Sequence, residues 1–264
     1  MKIKGFLLMA FLFGFLSVGQ AADDVKGNGK PTTVTMSIDD FNRIDIDGIM
    51  DFSYVQTAGD ASKLEVTLDD NLHQYLDVQT TDRKLSIRFN KKVKVTQLTK
   101  FVVKANSKWL KDVRVSGNAN FMTQTALKGD ELKVKGLDNS LIQFLKPVET
   151  GVLTLNVNNS ANIVAENIKI DRLECNMEGS GSIRLKEGTA NQANYNIVSS
   201  GDIHAFGVQA NSVNCKVAGS GTMEVYPLNS MKANLVGKGN IRYKGNLKDI
   251  EQRIIGKGKI EKVN

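Results

Sequence analysis

The chain of 264 residues has few of several residue types: two cysteines, two histidines, three prolines and one tryptophan. The shortage of proline, with no Gly/Pro/Ser-rich linker after residue 32, favours one continuous domain. Histidine, cysteine and acidic residues do not cluster at metal-ligand spacing, so we predict no metal and no other cofactor. After the first 21 residues no segment is apolar enough to span a membrane, so the mature chain is predicted to lack a transmembrane segment.

The N-terminus has the features of an export signal. Lys2 and Lys4 precede an apolar run, and Gly19 and Ala21 satisfy the small-x-small cleavage rule. We therefore predict a signal peptide over residues 1–21 and export to the periplasm or the cell surface. An uncleaved anchor is the alternative, although the apolar run is short for a permanent span. Residues 22–32, ADDVKGNGKPT, are expected to form a flexible leader.

A short phrase recurs through the rest of the chain. It reads GSGSI at 179–183, GSGTM at 219–223 and GKGNI at 237–241. A period near 20 residues is typical of a solenoid with one coil per repeat. The apolar residue that follows each phrase recurs every 18 to 21 residues, and this column contains Phe121, Ile142, Ile163, Ile183, Ile203, Met223, Ile241 and Ile260.

Apolar and polar residues alternate within each repeat. The positions ten, eight and six residues before the column are mostly apolar, and those between them are mostly polar, as at Glu174, Asn176 and Glu178. Alternation with a period of two indicates half-buried β-strands, which bury their apolar face only when coils stack. We predict an all-β solenoid of about 18–21 residues per coil, in which residues 33–264 form one domain with regular coils from about residue 111.

The glycines of the phrase are predicted to form tight corners, because glycine tolerates positive φ at no steric cost. A phosphate-binding loop is disfavoured, since no helical pattern follows the phrase and no Walker lysine is placed.

The two cysteines occupy one column, two coils apart. Cys175 and Cys215 have Tyr195 between them. Because stacked strands lie about 4.8 Å apart, the two Cα atoms would be about 9 to 10 Å apart, beyond the reach of a disulfide. We therefore predict two buried free thiols.

Residues 41–57, FNRIDIDGIMDFSYVQT, and the recurring G-S-G-x-I phrase resemble the head GIN domain family of putative auto-transporter adhesins, which are exported bacterial proteins. The resemblance covers about residues 35–262. It implies a single-stranded, right-handed β-helix-like domain with an adhesive or surface-associated role, and it implies no catalytic residues. The turns DNSLI at 138–142 and NNSAN at 158–162 depart from the pattern by replacing the glycines.

Positive charge is concentrated at the C-terminal end. Residues 231–264 contain nine Lys and Arg against three acids, a net charge of +6, whereas loss of the two signal lysines reduces the whole chain from +7 to +5. Stacked lysines repel one another, so this end is a candidate anion-binding site. The alternative is a polar cap that keeps the last coil soluble and discourages edge-to-edge pairing. The candidate residues are Lys238, Arg242, Lys244, Lys257 and Lys259.

These observations favour a non-catalytic, adhesin-like binding module of the cell envelope. Its partner would be an acidic glycan, a lipid headgroup or an envelope protein; nucleic acid is a poor candidate, because the basic end lacks interleaved aromatic residues. One alternative is a carbohydrate-active enzyme on a β-helix, but no column of acids emerges and we predict no catalytic residue. Another is a periplasmic structural or regulatory partner protein. His204, beside Asp202, is expected on a solvated strand face, and the sequence does not specify an oligomeric state.

Overall fold

The computed structural model describes residues 22–59 and 61–263, so the predicted signal peptide, residues 1–21, lies outside the described residues. The N-terminal part contains nine strands and a short 3₁₀ helix. They are β1 (Asp23–Lys26), β2 (Pro31–Ile38), β3 (Arg43–Gly48), β4 (Asp51–Gln56), β5 (Ser62–Asp69), the 3₁₀ helix (Asp70–Tyr75), β6 (Leu76–Thr81), β7 (Lys84–Phe89), β8 (Val93–Gln97) and β9 (Phe101–Ser107).

Twelve more strands follow, and they form a regular stack. They are β10 (Asp112–Gly117), β11 (Asn120–Thr123), β12 (Leu127–Gly136), β13 (Leu141–Phe144), β14 (Val148–Asn159), β15 (Asn162–Gly179), β16 (Ser182–Ser199), β17 (Asp202–Gly219), β18 (Thr222–Gly237), β19 (Asn240–Tyr243), β20 (Asp249–Gly256) and β21 (Lys259–Lys262).

Neighbouring coils pair in parallel, with like positions aligned. Ile183 lies between Ile163 and Ile203, and the next member of the column is Met223. The stack makes a β-solenoid of about 8 turns. The predicted all-β solenoid is therefore confirmed, because the alternating apolar face of one coil is buried only against the coils on either side.

The stacking begins earlier than the predicted start at about residue 111. β3 pairs in parallel with β10 and β4 with β11, so Phe52 is the register partner of Phe121. Strands β5 to β9 are inserted between these coils, and they interrupt the 20-residue spacing on which the prediction depended. Within this insertion β7 and β9 pair with the other edges of β3 and β4, so they cover the first coil at its N-terminal side.

Residues 22–32 were expected to form a flexible leader, but the structure places strand β1 and the start of β2 there. β1 pairs in parallel with β8, with Asp23 opposite Val93, and the side-chain amide of Asn71 donates to the Lys26 carbonyl at 2.8 Å. β2 starts at Pro31 and pairs antiparallel with β5. These partners lie far along the chain, so the local polar composition could not reveal the pairing.

The core changes in composition along the solenoid. In the first coils it is aromatic: the Phe121 ring centroid is 5.7 Å from that of Phe52 and 6.4 Å from those of Tyr54 and Phe144. In the later coils most of the buried side chains are aliphatic and some are small, such as Ala193 and Ala233, although Tyr195 is also buried there. Close packing of either kind makes each coil dependent on its neighbours.

The repeated glycines have two physical roles. Gly219 has a φ of 142°, a conformation that residues with a Cβ rarely adopt. Gly181 is required for a different reason, because a Cβ atom there would overlap the carbonyl oxygen of Ala161 in the preceding coil. The expectation of positive φ thus accounts for the first glycine of the phrase, and close approach of two backbones accounts for the second.

The prediction of two buried free thiols is confirmed. Cys175 and Cys215 are free and buried, and Tyr195 lies between them as the register partner of both. Burial raises the pKa of both thiols above the ordinary value. Because the thiolate is the reactive form, both cysteines are expected to be inert in the folded protein.

Replacing Tyr195 by phenylalanine is expected to stabilise the fold. The Tyr195 hydroxyl is fully buried and has no hydrogen-bond partner among the described residues. An unsatisfied buried hydroxyl costs free energy, so Tyr195→Phe is expected to raise the free energy of unfolding by about 1 kcal/mol in urea titrations.

The matched control is Tyr54→Phe, because the Tyr54 hydroxyl is also buried but lies 2.8 Å from Ser107 Oγ. That variant is expected to lose about 1 kcal/mol. A loss of stability in Tyr195→Phe as large as that in Tyr54→Phe would contradict the prediction.

Candidate functional site

Many charged side chains on the outer faces pair between coils. Lys186 Nζ lies 2.6 Å from Glu166 Oε1, and Lys232 Nζ lies 2.9 Å from Glu251 Oε1. These pairs are exposed, so each contributes little to stability. They neutralise part of the surface charge.

One outer column near the C-terminal end carries a connected charge network, which we call the His204 ladder: His204, Glu224, Arg242 and Glu261. Glu224 accepts hydrogen bonds from both neighbours, with Oε2 2.8 Å from His204 Nδ1 and Oε1 2.8 Å from Arg242 Nη1. Arg242 Nε is also 3.6 Å from Glu261 Oε1. The Glu224 side chain is only 16% exposed, so it holds both partners firmly.

The His204 ladder changes the interpretation of two residues. His204 was expected on a solvated face beside Asp202, but it is half-buried and contacts Glu224. Arg242 was a candidate anion-binding residue, but two carboxylates already compensate its charge. Sequence reasoning missed Glu224, although the spacing of the coils places it in the same column as His204 and Arg242.

Two of the basic candidates, Lys244 and Arg242, lie close to the aromatic ring of Phe206. Lys244 Nζ lies 5.0 Å from the ring centroid and the Arg242 guanidinium carbon 5.8 Å. Cations at these distances are attracted to an aromatic face. Lys244 and Arg242 are therefore held on the outer face of the coils rather than extended into solvent.

The remaining candidates lie at the corner of the last two coils. Lys238 and Lys257, which we call the corner lysines, occupy the middle position of the Gly-x-Gly turn, where the preceding coils have serine. Their backbone amides donate to Gly219 and Gly237 carbonyls at 2.8 Å, so the turns stack in register. Both side chains are exposed, and among the described residues neither forms an ion pair. Lys259 follows at the start of β21 and is exposed as well.

A shallow polar concavity lies on β15, β16 and β17, in the coils that precede this corner, and we call it the amide concavity. Its volume is about 430 Å³. The Oδ1 atom of Asn214 is buried there without a hydrogen-bond partner in the described part of the chain. Sequence reasoning missed this surface, which is lined by Glu174, Asn176, Asn194, Asn196, Asn214 and Lys216.

The five basic candidates thus divide into two groups. Lys244 and Arg242 are engaged by Phe206 and the His204 ladder, whereas Lys238, Lys257 and Lys259 are exposed at the corner. In the part of the chain that the structure describes, no group of three or more His, Cys, Asp or Glu residues could hold a metal ion. The described residues also contain no helix with the length and apolar character needed to cross a membrane.

The fold is a β-solenoid with a glycine turn in nearly every coil, and its charged and polar clusters lie on the outer columns of the coils. These two features define the class of protein. The family described as putative auto-transporter adhesin, head GIN domain, matches residues 40–246, and the chain belongs to this family. No curated protein matches the sequence at a significant level.

Solved structures agree with this assignment. A putative adhesin from Parabacteroides distasonis is 51% identical with a TM-score of 0.88, and it covers 91% of this chain and 100% of its own. A putative adhesin from Parabacteroides merdae is 50% identical with a TM-score of 0.88, covering 92% and 100%. A putative lipid binding protein from Parabacteroides distasonis is 33% identical with a TM-score of 0.87, also covering 92% and 100%.

Proposed function

We propose that the protein is a non-catalytic, adhesin-like module of the cell envelope that binds an acidic polysaccharide through the corner lysines. The observation that carries this proposal is the stacking of Lys238 on Lys257 with no carboxylate partner among the described residues. Membership of an adhesin family and the features of an export signal at the N-terminus support an envelope location.

The repetition of the coil explains why the ligand would be a polymer. The Cα atoms of Lys238 and Lys257 lie about 4.8 Å apart, since they occupy equivalent turns of adjacent coils. Like charges at this spacing repel one another, and an anion placed between them relieves the repulsion. A chain with repeated carboxylate or sulfate groups can supply such anions to both lysines and to Lys259.

The amide concavity explains why the polymer would be a glycan. Carboxamide side chains both donate and accept hydrogen bonds, which matches sugar hydroxyl groups. Lys216 of the concavity is the register partner of Asn234, and Lys238 follows four residues later in the turn after β18, about 13 Å from Asn234. One oligosaccharide can therefore contact the concavity and the corner together.

The double variant Lys238→Ala/Lys257→Ala is expected to bind an acidic polysaccharide about tenfold to thirtyfold more weakly at low salt. Each lysine beside an anionic surface contributes about 1 kcal/mol. Binding to immobilised polygalacturonate, measured by biolayer interferometry, tests this, with dextran as the neutral polysaccharide.

The matched control is Lys91→Ala/Lys92→Ala, which removes the same charge from an exposed turn between β7 and β8. It is expected to retain binding. Equal losses of binding in the two double variants would show that only overall charge matters, and this would contradict a binding site at the corner lysines. Unchanged binding in Lys238→Ala/Lys257→Ala would contradict it as well.

Lipid is the second candidate, favoured by a separate observation. An apolar column lies just before the corner, and Val198, Val236 and Ile255 are 47%, 49% and 50% exposed. Apolar side chains beside lysines suit an anionic membrane surface, and one relative is a putative lipid binding protein. Binding of the protein to phosphatidylglycerol vesicles, but not to polygalacturonate, would favour lipid as the ligand. Val236→Asp is then expected to abolish vesicle binding.

A further inference from the structure

The last coil of the described residues leaves its inward-facing side chains uncovered. Ile250 and Ile254 belong to inward-facing columns, yet they are 40% and 44% exposed. Their register partners in the preceding coil, Met231 and Leu235, are 2% and 0% exposed. Two isoleucines of inward-facing columns therefore face solvent at this end of the described residues, beside the exposed lysines.

The backbone at this end also has an unpaired hydrogen-bonding edge among the described residues. Within the described residues β20 pairs only with β18, and β21 pairs only with β19. An edge strand of eight residues is a template for pairing with another strand. The opposite end of the stack differs, since β7 and β9 cover the first coil there.

The sequence of β20 is complementary to itself in the antiparallel direction. It reads DIEQRIIG, and its centre is Gln252. When two such strands align with Gln252 opposite Gln252, Glu251 of each copy faces Arg253 of the other, and Ile250 faces Ile254. Directly opposed charges of opposite sign and directly opposed aliphatic residues both stabilise antiparallel pairs.

We propose that a second copy of this chain docks on the open end, with β20 of the two copies paired antiparallel about Gln252. This register keeps both sets of isoleucines on the inward face, because residues directly opposite one another share a face of the sheet. The two open cores become one continuous core. The contact is isologous, so it forms a closed dimer rather than a filament.

The two copies of Lys257 do not face one another in this arrangement. Lys257 lies five residues from Gln252, or about 17 Å along the strand. In the antiparallel pair the two copies of Lys257 lie on opposite sides of the axis, about 34 Å apart, several Debye lengths at physiological salt. The same register brings Lys257 of each copy beside Lys248 of the other, a like-charge contact that opposes the pairing and is weakened by added salt.

Charge reversal tests this register directly. The native chain is expected to sediment as a dimer. Glu251→Arg places arginine opposite arginine, and Arg253→Glu places glutamate opposite glutamate, so each variant alone should dimerise about tenfold more weakly. An equimolar mixture of the two variants restores both pairs and should form heterodimers, as should Glu251→Arg/Arg253→Glu with itself.

A cysteine at position 252, where the two-fold axis of the proposed dimer passes between the two β20 strands, tests the same register by disulfide formation. Cα atoms of directly opposed antiparallel residues lie about 4.5 to 5.5 Å apart, within disulfide range. Gln252→Cys should therefore form a covalent dimer on mild oxidation, whereas Asn229→Cys, an exposed control on β18, should not. The buried native thiols do not interfere.

Three results would overturn the proposal. A monomer at all accessible concentrations, with no disulfide in Gln252→Cys, would mean that the end stays open or is covered by another part of the chain. Open polymers would indicate head-to-tail stacking. A dimer that neither charge reversal weakens would place the contact elsewhere on the molecule.

Discussion

Replacing Phe121 by alanine is expected to lower the free energy of unfolding by about 4 kcal/mol, within the range for a fully buried phenylalanine. Phe121 is 0% exposed. Its ring contacts three other aromatic rings, those of Phe52, Tyr54 and Phe144. Truncation removes all three contacts at once, and the rigid strand ladder prevents collapse into the cavity.

The position of Phe121 adds to the effect. β11 pairs with β4 on one side and β13 on the other, so Phe121 lies where the N-terminal part joins the regular coils. Since each coil of a solenoid is stabilised by its neighbours, damage at this junction weakens both parts.

Urea unfolding followed by far-UV circular dichroism measures this loss. The control is Phe206→Ala, which removes a half-buried ring from the outer face and is expected to cost about 1 kcal/mol. Equal losses in the two variants would show that the aromatic core has no special role in joining the coils.

Replacing Gly181 by alanine is expected to cost about 3 kcal/mol, although it adds a single methyl group. That methyl group would overlap the Ala161 carbonyl oxygen, which accepts a hydrogen bond from the Ser182 amide at 3.2 Å. Relief of the overlap requires the two coils to separate at the corner, and separation breaks the ladder between β15 and β16.

The adjacent residue provides a sharp control. Ser180 is exposed at the same corner, and its hydroxyl contacts only the Ser160 hydroxyl at 3.3 Å among the described residues. Ser180→Ala is expected to change the free energy of unfolding by less than about 0.5 kcal/mol. A tolerated Gly181→Ala would show that the corners can widen, and the steric account of the second glycine would then be wrong.

Several features could be predicted because they repeat. The spacing of the apolar column places Ile163, Ile183 and Ile203 in adjacent coils, and the structure aligns them in that register. The same spacing separates Cys175 from Cys215 by one intervening coil, which excludes a disulfide. A sequence repeat predicts which residues are neighbours in the tertiary structure, because equivalent positions of adjacent coils stack on one another.

Other features could not be predicted, since their partners lie outside the repeat. β1 is ordered by β8, and β3 and β4 are joined to β10 and β11 across a long insertion. The basic residues at the C-terminal end look equivalent in sequence. Only side-chain geometry shows that Glu224 and Phe206 engage Arg242 while Lys238 and Lys257 remain exposed.

The sequence by itself therefore determined the solenoid, the glycine corners and the stacked thiols, because period, alternation and residue size act between adjacent coils. The tertiary structure decided which cations are compensated, where the first coil begins and which end of the core is open. These depend on contacts between residues that no local pattern relates, such as those that leave Ile250 and Ile254 exposed in the last described coil.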